Sequence, residues 1–389
     1  MTGGPQRVVV VGAGLGGGRT CAALRAAGFE GELTLVGAEQ HAPYDRPPLT
    51  KGVLTQASDP DLGLDLAELR VDFLPGVRAT GLDLAQRTLA TDAGEQPYDA
   101  LVLATGASPI RLPGDGPQVT IRTLDDAVAL RDRLRPGSRL AIIGAGWIGA
   151  EIATAAVGLG AHVTCLEGAD APLAGPLGSE VGRLLLPWWH DVDLRLGVQV
   201  ASVERDGVRL VGGELVPADT VLTAIGVRPE VGWLAHSGLE MAAGGVAVDS
   251  DRRTSDPHVY AIGDAAARWS DSLAARVHSG HWDEAVNGAI AVAATIVGKP
   301  QGLDEVPYFW SDQFGRKIQY VGQHRPSDTL VMRTHDDPAK WGAAWLDDHG
   351  RLTAHVSVGF PRAMVGARMA IQERRPIDPE RCRDLAAAL

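Results

Sequence analysis

A strand, a glycine turn and a helix, written twice in one chain, constrain this sequence more than any other feature. The first copy is RVVVVGAGLGGGRTCAALRAAGF, starting at Arg7, with Gly12, Gly14 and Gly17 in the G-x-G-x-x-G positions. The second is RLAIIGAGWIGAEIATAAVGLGAHVTCLEG, starting at Arg139, with Gly144, Gly146 and Gly149 in the same places. In such a unit the first glycine permits a tight turn and the second lets a pyrophosphate approach the backbone. The third allows close helix–strand packing, and the helix N-terminus supplies amide donors and positive dipole. Each copy has an apolar strand before the turn, a helix after it and a further strand beyond, which is the context the motif requires. Two copies so far apart predict two dinucleotides, each on its own Rossmann-like α/β domain.

The acid that ends the second strand of such a unit reads the adenosine ribose. In the second copy it is Glu167, 23 positions beyond Gly144, against an expected spacing of roughly 20. A carboxylate there accepts from a 2′-hydroxyl and repels a 2′-phosphate, and Gly168, Ala169 and Asp170 offer no arginine in compensation. The expected coenzyme is NADH rather than NADPH. In the first copy the strand ends Val36-Gly37-Ala38-Glu39. Glu39 is either the ribose partner or a solvated turn acid.

Directly after that strand comes YDRPPLTKG, residues 44–52. Two consecutive prolines exclude a helix interior or a central strand and stiffen a turn. The turn falls at the end of the sheet where α/β folds bind ligands. Arg46 and Lys51 are therefore held near a dinucleotide, or are the solvated cations of a surface turn.

Further stretches follow in order: ATG at 104–106, GAGWIGAE, GVRPE at 226–230, YAIGDAA at 260–266, HWDEA at 281–285 and YFWSDQFG at 308–315. On these, and on RPPL-x-K with FWSDQ above all, the chain resembles the FAD-dependent, NADH-linked ferredoxin reductases over essentially its whole length. That family includes putidaredoxin reductase, rubredoxin reductase and the reductases of Rieske-type dioxygenases. The resemblance implies a glutathione-reductase-like fold with FAD in the first unit and NADH in the second.

It also implies roles for individual residues. Gly12, Gly14 and Gly17 would take the FAD pyrophosphate, with Arg46 and Lys51 on the flavin side. Ala104, Thr105 and Gly106 would close the FAD sheet, and Asp264 would contact the ribitol and phosphate region. Trp282 and Trp310 would lie near the isoalloxazine. Glu151 would sit between nicotinamide and flavin, paired with Lys51 in an ion pair that serves positioning rather than stability. Taken alone, Glu151 also reads as an acid near a helix N-terminus, and Trp310 as core packing. The chain departs from the family pattern at Ala38, where an acid is usual, at Gly280, where glutamate is usual, and at Glu284-Ala285, where Asn-Ala is usual.

The FAD sheet needs strands from both ends of the chain, so the domains are expected to interleave. The FAD domain is placed at 1–111 and 246–305 and the NADH domain at 112–245. From 306 to 389 short alternating segments, a turn at Asp348-His349-Gly350 and one helix predict a small α+β C-terminal domain.

Composition narrows the chemistry. A formal charge of −12 argues against general nucleic-acid binding. Only Cys21, Cys165 and Cys382 are present, with no Cys-x-x-Cys, which excludes transfer through a neighbouring dithiol. The histidines lack ligand spacing, and no metal is expected. The N-terminus runs into a strand with no room for a secretory signal, and the apolar run 289–297 is about half a membrane span. A cytoplasmic location is expected.

These readings converge on an NADH-dependent flavoprotein that splits electron pairs for a small iron–sulfur ferredoxin, which in turn feeds an oxygenase. The partner is expected near Trp310, steered by Arg316, Lys317, Arg362, Arg368, Arg374 and Arg375. Two alternatives keep the cofactors: a quinone as small acceptor, or a redox-sensing protein resembling apoptosis-inducing factor.

Overall fold

The computed structural model describes residues 4–278, 280–302, 304–387 and 389. Arg7–Val11 forms the centre of a parallel sheet, flanked by Glu32–Gly37 and Asp72–Pro75 on one side. Ala100–Leu103 and then Val259–Ala261 lie on the other. Its apolar, β-branched strands are covered on both faces, as a parallel sheet demands. Arg139–Ile143 is the centre of a second sheet of the same plan. His162–Leu166 and Asp193–Arg195 lie to one side, Thr220–Thr223 and Gln118–Val119 to the other.

The repetition extends past the glycine turns. Each unit inserts a three-stranded antiparallel meander before the strand that returns to the sheet centre: Ala79–Asp83, Thr88–Thr91 and Gly94–Pro97 in the first. In the second the meander is Val200–Glu204, Gly207–Leu210 and Leu215–Pro217.

The second unit interrupts the first. The chain leaves at Ala107–Pro109 and returns at Val227–Pro229, and these two segments pair antiparallel. Beyond the return, Val231, Leu234 and Leu239 pack with Leu89, Tyr98 and Val246 in the first unit's core. The packing thus favours a return near residue 230 over the expected 245, because the apolar side chains of 231–239 find their partners in the first unit.

The C-terminal region is a five-stranded antiparallel sheet in the order Tyr308–Gln313, Arg316–Gly322, Leu352–Val358, Trp341–Leu346 and Thr329–Arg333. The helix Arg362–Gln372 packs on it through Met364, Ala367, Ala370 and Ile371. The other face of the sheet, through Ile318, Tyr320 and Val356, shares one core with Leu49, Leu54, Ala150 and Ala153. That shared core brings the Tyr308–Gln313 strand up to the second glycine unit and the proline turn. The turn itself is a short 3-10 helix, Pro47–Thr50, followed by the helix Gly52–Gln56. Both prolines occupy its first positions, where missing N–H groups cost nothing.

Candidate active site

A cavity of about 1090 Å³ runs between the two glycine turns and is walled by the C-terminal sheet. Of the glycines singled out from the sequence, Gly12, Gly14, Gly144 and Gly146 line it, whereas Gly17 and Gly149 lie beneath. The chain's own geometry explains the division. A Cβ on Gly12 (φ +109°) would fall 2.1 Å from the Ala104 carbonyl oxygen, and one on Gly17 1.9 Å from the Gly12 oxygen. In the second unit a Cβ on Gly144 would fall 2.5 Å from the Ala224 oxygen, and one on Gly149 2.0 Å from the Gly144 oxygen. The middle glycines differ: a Cβ on Gly146 would meet nothing, and one on Gly14 only the Arg46 guanidinium at 3.5 Å. First and third glycines are demanded by packing, and the middle one leaves backbone open to a ligand. Neither following helix has an acid in its first turn, so the amides there face the cavity with their positive dipole unopposed. The residues fit two dinucleotides.

Both expected ribose acids line the cavity. Glu167 accepts from the Ala145 N–H at 2.7 Å and the Ala169 N–H at 2.8 Å, which fixes its carboxylate beside the second turn. Glu39 accepts from the Tyr44 hydroxyl at 2.5 Å and from Arg46 Nη2 at 3.0 Å. Tyr44 in turn accepts the Leu124 N–H at 2.9 Å, tying the first unit to the helix Leu124–Arg131 of the second. The sequence puts Arg46 and Lys51 together on the flavin side; both line the one cavity, each with its own acid partner. Arg46, at the start of the 3-10 turn, reaches toward Gly14 and Glu39.

Lys51 reaches Glu151 instead. Its Nζ donates to Glu151 Oε2 at 2.7 Å. The same carboxylate accepts from the hydroxyls of Thr50 and Ser311 (the latter at 2.6 Å) and from the Asp312 N–H at 3.2 Å. Glu151 is buried, and donors from the proline turn and the C-terminal strand satisfy it. It is not a helix-dipole acid: its partners all lie outside its own helix. Thr50 and Ser311 escape a sequence reading, since hydroxyls carry no motif of their own here.

Ala104, Thr105, Gly106 and Asp264 also line the cavity. A further cation joins them: Arg122 Nη2 donates to Asp264 Oδ2 at 2.7 Å, and a Cβ on Gly106 would lie 3.0 Å from the same nitrogen. Arg122 is a cavity residue that the sequence reading did not single out. Its signal was the following Thr123-Leu124-Asp125-Asp126, a reciprocal capping box that starts a helix and presents the preceding side chain at its mouth.

Trp282 and Trp310 meet edge to face at 5.9 Å, and Trp282 Nε1 donates to Asp45 Oδ1 at 2.8 Å. Two aromatics not foreseen stand next to them: His281 stacks on Phe309 at 4.2 Å, and Phe309 meets Trp147 at 4.4 Å. Withdrawal from water pushes His281 down to about 4 despite Asp264 and Glu284 nearby, so its imidazole is neutral at pH 7. Gly280, also on the wall, has φ +62°, a conformation that glycine adopts freely.

The three thiols are buried and free, and none lines the cavity. Burial pushes Cys21 up to about 12 and Cys165 higher still. Among the described residues no cluster of His, Cys, Asp or Glu could hold a metal ion.

The profile of the family described as pyridine nucleotide-disulphide oxidoreductase matches residues 6–289, and that of a reductase C-terminal domain matches 308–389. The chain is 36% identical to the ferredoxin reductase component of chlorobenzene dioxygenase from Cupriavidus sp. (strain PS12), over 98% of this chain and 96% of that protein. Its structure is similar to the crystal structure of Fdr9, with TM-score 0.95 and 52% identity over 99% of each chain. It is also similar to the covalent putidaredoxin reductase–putidaredoxin complex, with TM-score 0.89 and 29% identity over 97% of this chain and 95% of that one.

Proposed function

The chain belongs to the pyridine nucleotide-disulphide oxidoreductase family, in its ferredoxin-reductase branch, and from that premise we propose that it carries electrons from NADH through FAD to a small iron–sulfur ferredoxin serving an oxygenase. The observation that carries this reading is one cavity that joins two glycine cradles and both ribose acids with no thiol on its wall. Electrons leaving such a site go outward to a partner rather than to an enzyme disulfide.

FAD, when bound, supplies what no side chain can: uptake of an electron pair and its release one electron at a time. The chain's part is to bind and orient. Gly12, Gly14 and the amides of the helix Leu15–Ala26 would hold the FAD pyrophosphate, with Arg46 and Arg122 as counter-charges and Glu39 on the ribose. Gly144, Gly146 and Glu167 would hold NADH. Lys51, fixed by Glu151, would place a cation near the flavin, and such a fixed charge favours a reduced, anionic ring. Trp282 and Trp310 would exclude water from the reacting face.

The acceptor would dock beside Trp310 and the C-terminal helix. That patch is less positive than its arginines suggest, because Lys317 pairs with Asp312 at 3.2 Å and Arg375 with Glu373 at 2.8 Å. Arg362, Arg374 and Arg316 have no acid within ion-pair distance among the described residues. Val365 and Met369 are exposed on the same helix, adding apolar area to a cationic surface. We place the protein in the cytoplasm, where NADH is supplied; no helix of the described residues is long and apolar enough to cross a membrane.

The test is NADH oxidation by the purified flavoprotein with a panel of ferredoxins, following reduction of each iron–sulfur centre. Reduction of at least one at a rate far above the ferredoxin-free rate is expected. Protein that never retains FAD, or oxidises NADH without reducing any ferredoxin, would defeat the proposal.

A further inference from the structure

Two adjacent acids open the helix Trp282–Ile296, and the fold treats them differently. Glu284 faces two fully buried guanidiniums, Arg268 Nε at 3.2 Å and Arg252 Nη2 at 3.5 Å. Asp283 is buried as well, but its Oδ2 accepts only the Tyr308 N–H at 2.9 Å and Arg368 Nη2 at 3.3 Å. Its Oδ1 is buried without a partner among the described residues. A carboxylate oxygen left unpaired away from water is costly, whereas a neutral acid is less so.

Three elements meet at this side chain. Asp283 follows Trp282, the ring that meets Trp310. Tyr308, whose N–H it accepts, lies two residues before Trp310 and stacks on it at 6.2 Å. Arg368 comes from the helix Arg362–Gln372, lies over the Tyr308 ring at 5.4 Å, and leaves 44% of its side chain in solvent. The charges facing Asp283 are thus Glu284 from its own helix and Arg368 from the C-terminal helix. The strand contributes only a backbone N–H, and Arg252 and Arg268 are shared between Glu284 and the acids Glu305 and Asp304.

We propose that Asp283 is a positioning residue whose charge state, read against Arg368, sets the Trp282–Trp310 pair at the mouth of the cavity. Neutral, Asp283 carries its proton on Oδ1 and the helix start stays closed against the strand. Ionised, it requires a donor for Oδ1, and the contact between Trp282 and the Tyr308–Gln313 strand opens to admit one. The proton exchanges with solvent. An anionic group brought up to Arg368 by a docked protein acts in the direction of acid: it competes for the guanidinium and leaves Asp283 to take its proton. Burial and the Glu284 charge push Asp283 up to about 7, against the opposing pull of the Tyr308 N–H, Arg368 and the Glu284 backbone N–H, so the change falls near neutral pH. The inference goes beyond the electron-transfer reading and requires no particular acceptor.

The experiment is near-ultraviolet circular dichroism of the full chain as purified, titrated across about pH 5.5 to 8.5, a window that spans ordinary histidine titration. Wild type should show a one-proton transition centred near 7, diminished in Trp282→Phe and Trp310→Phe, which assigns it to the pair. Asp283→Asn should lose the transition. Arg368→Gln should move the midpoint up by roughly half a unit or more, because a lost cation disfavours the carboxylate. A wild type without a transition, or a transition that survives in Asp283→Asn, would overturn the proposal. So would a midpoint in Arg368→Gln that stays put or falls, and this outcome decides the matter even if Asp283→Asn does not fold. None of these readings depends on ferredoxin reduction, so they stand apart from the fate of the proposed activity.

Discussion

Lys51 Nζ lies 2.7 Å from Glu151 Oε2, and this one ion pair ties the proline turn of the first unit to the helix that opens the second. Ser311 and the Asp312 amide extend the tie to the C-terminal strand. Removing the acid leaves a cation, two hydroxyls and an amide without their acceptor. Glu151→Ala should lose about 3 kcal/mol or more of stability, as breaking a buried pair does. Lys51→Met should lose less, since Glu151 keeps three neutral donors. Denaturation curves check the order, and rapid mixing with NADH should show flavin reduction slowed in both. Equal stability of Glu151→Ala and wild type would contradict this account.

Arg122 and Asp264 pair on the cavity wall. If Arg122 is a counter-charge for the FAD pyrophosphate, Arg122→Met should weaken FAD retention by about 10- to 100-fold, the scale of a lost charge-assisted hydrogen bond or two. Ultrafiltration of the flavoprotein followed by absorbance of retained FAD measures it. Undiminished retention would remove Arg122 from the site.

Glu167 is held by two backbone amides at 2.7 and 2.8 Å, so its charge is fixed where a 2′-phosphate would come. Wild-type kcat/KM should favour NADH over NADPH by about tenfold or more, and Glu167→Gln should narrow that ratio chiefly by easing NADPH. Equal use of the two coenzymes by wild type would refute the assignment.

The rate of ferredoxin reduction should fall with ionic strength if unpaired arginines steer the partner. Arg362→Gln should flatten that dependence, with the change in the second-order rate constant rather than in the saturated rate. A salt-independent rate would show that steering lies elsewhere.

Asp283 also makes a prediction for stability. Its pKa rises from 3.8 to about 7 on folding, so the fold disfavours its ionised form. The stabilisation is complete below the unfolded value near 4 and is lost as pH rises through about 7. Relative to Asp283→Asn, wild type should therefore lose stability between pH 4 and 7, by at most about 4 kcal/mol at 1.4 kcal/mol per unit. Melting temperatures of the two proteins across that range give the difference; parallel curves would contradict it.

Much of the site was legible because it is local in sequence. The glycines, Glu39, Glu167 and the Asp264 strand end each sit at a fixed offset from a strand or turn, and all but the packing glycines Gly17 and Gly149 line one cavity. Thr50, Ser311 and His281 were not legible, and Arg122 only as the residue before a capping box, since each meets a partner distant in sequence: Asp264 for Arg122, Glu151 for Thr50 and Ser311, Phe309 for His281. The packing of the segment that follows the domain return was hidden for a related reason. Residues 231–239 carry no signal of which core receives their apolar side chains.

By itself, then, the order of residues determined two dinucleotide cradles, because a turn needing positive φ at Gly12 and Gly144 admits few residues and its requirement is local. Tertiary structure alone decided which charges meet: that Arg46 turns to Glu39 while Lys51 reaches Glu151, and that Glu284 has two buried arginines while Asp283 has a half-exposed one. Electrostatic partnership depends on distance and on exclusion of water, and both exist only after the sheets have packed.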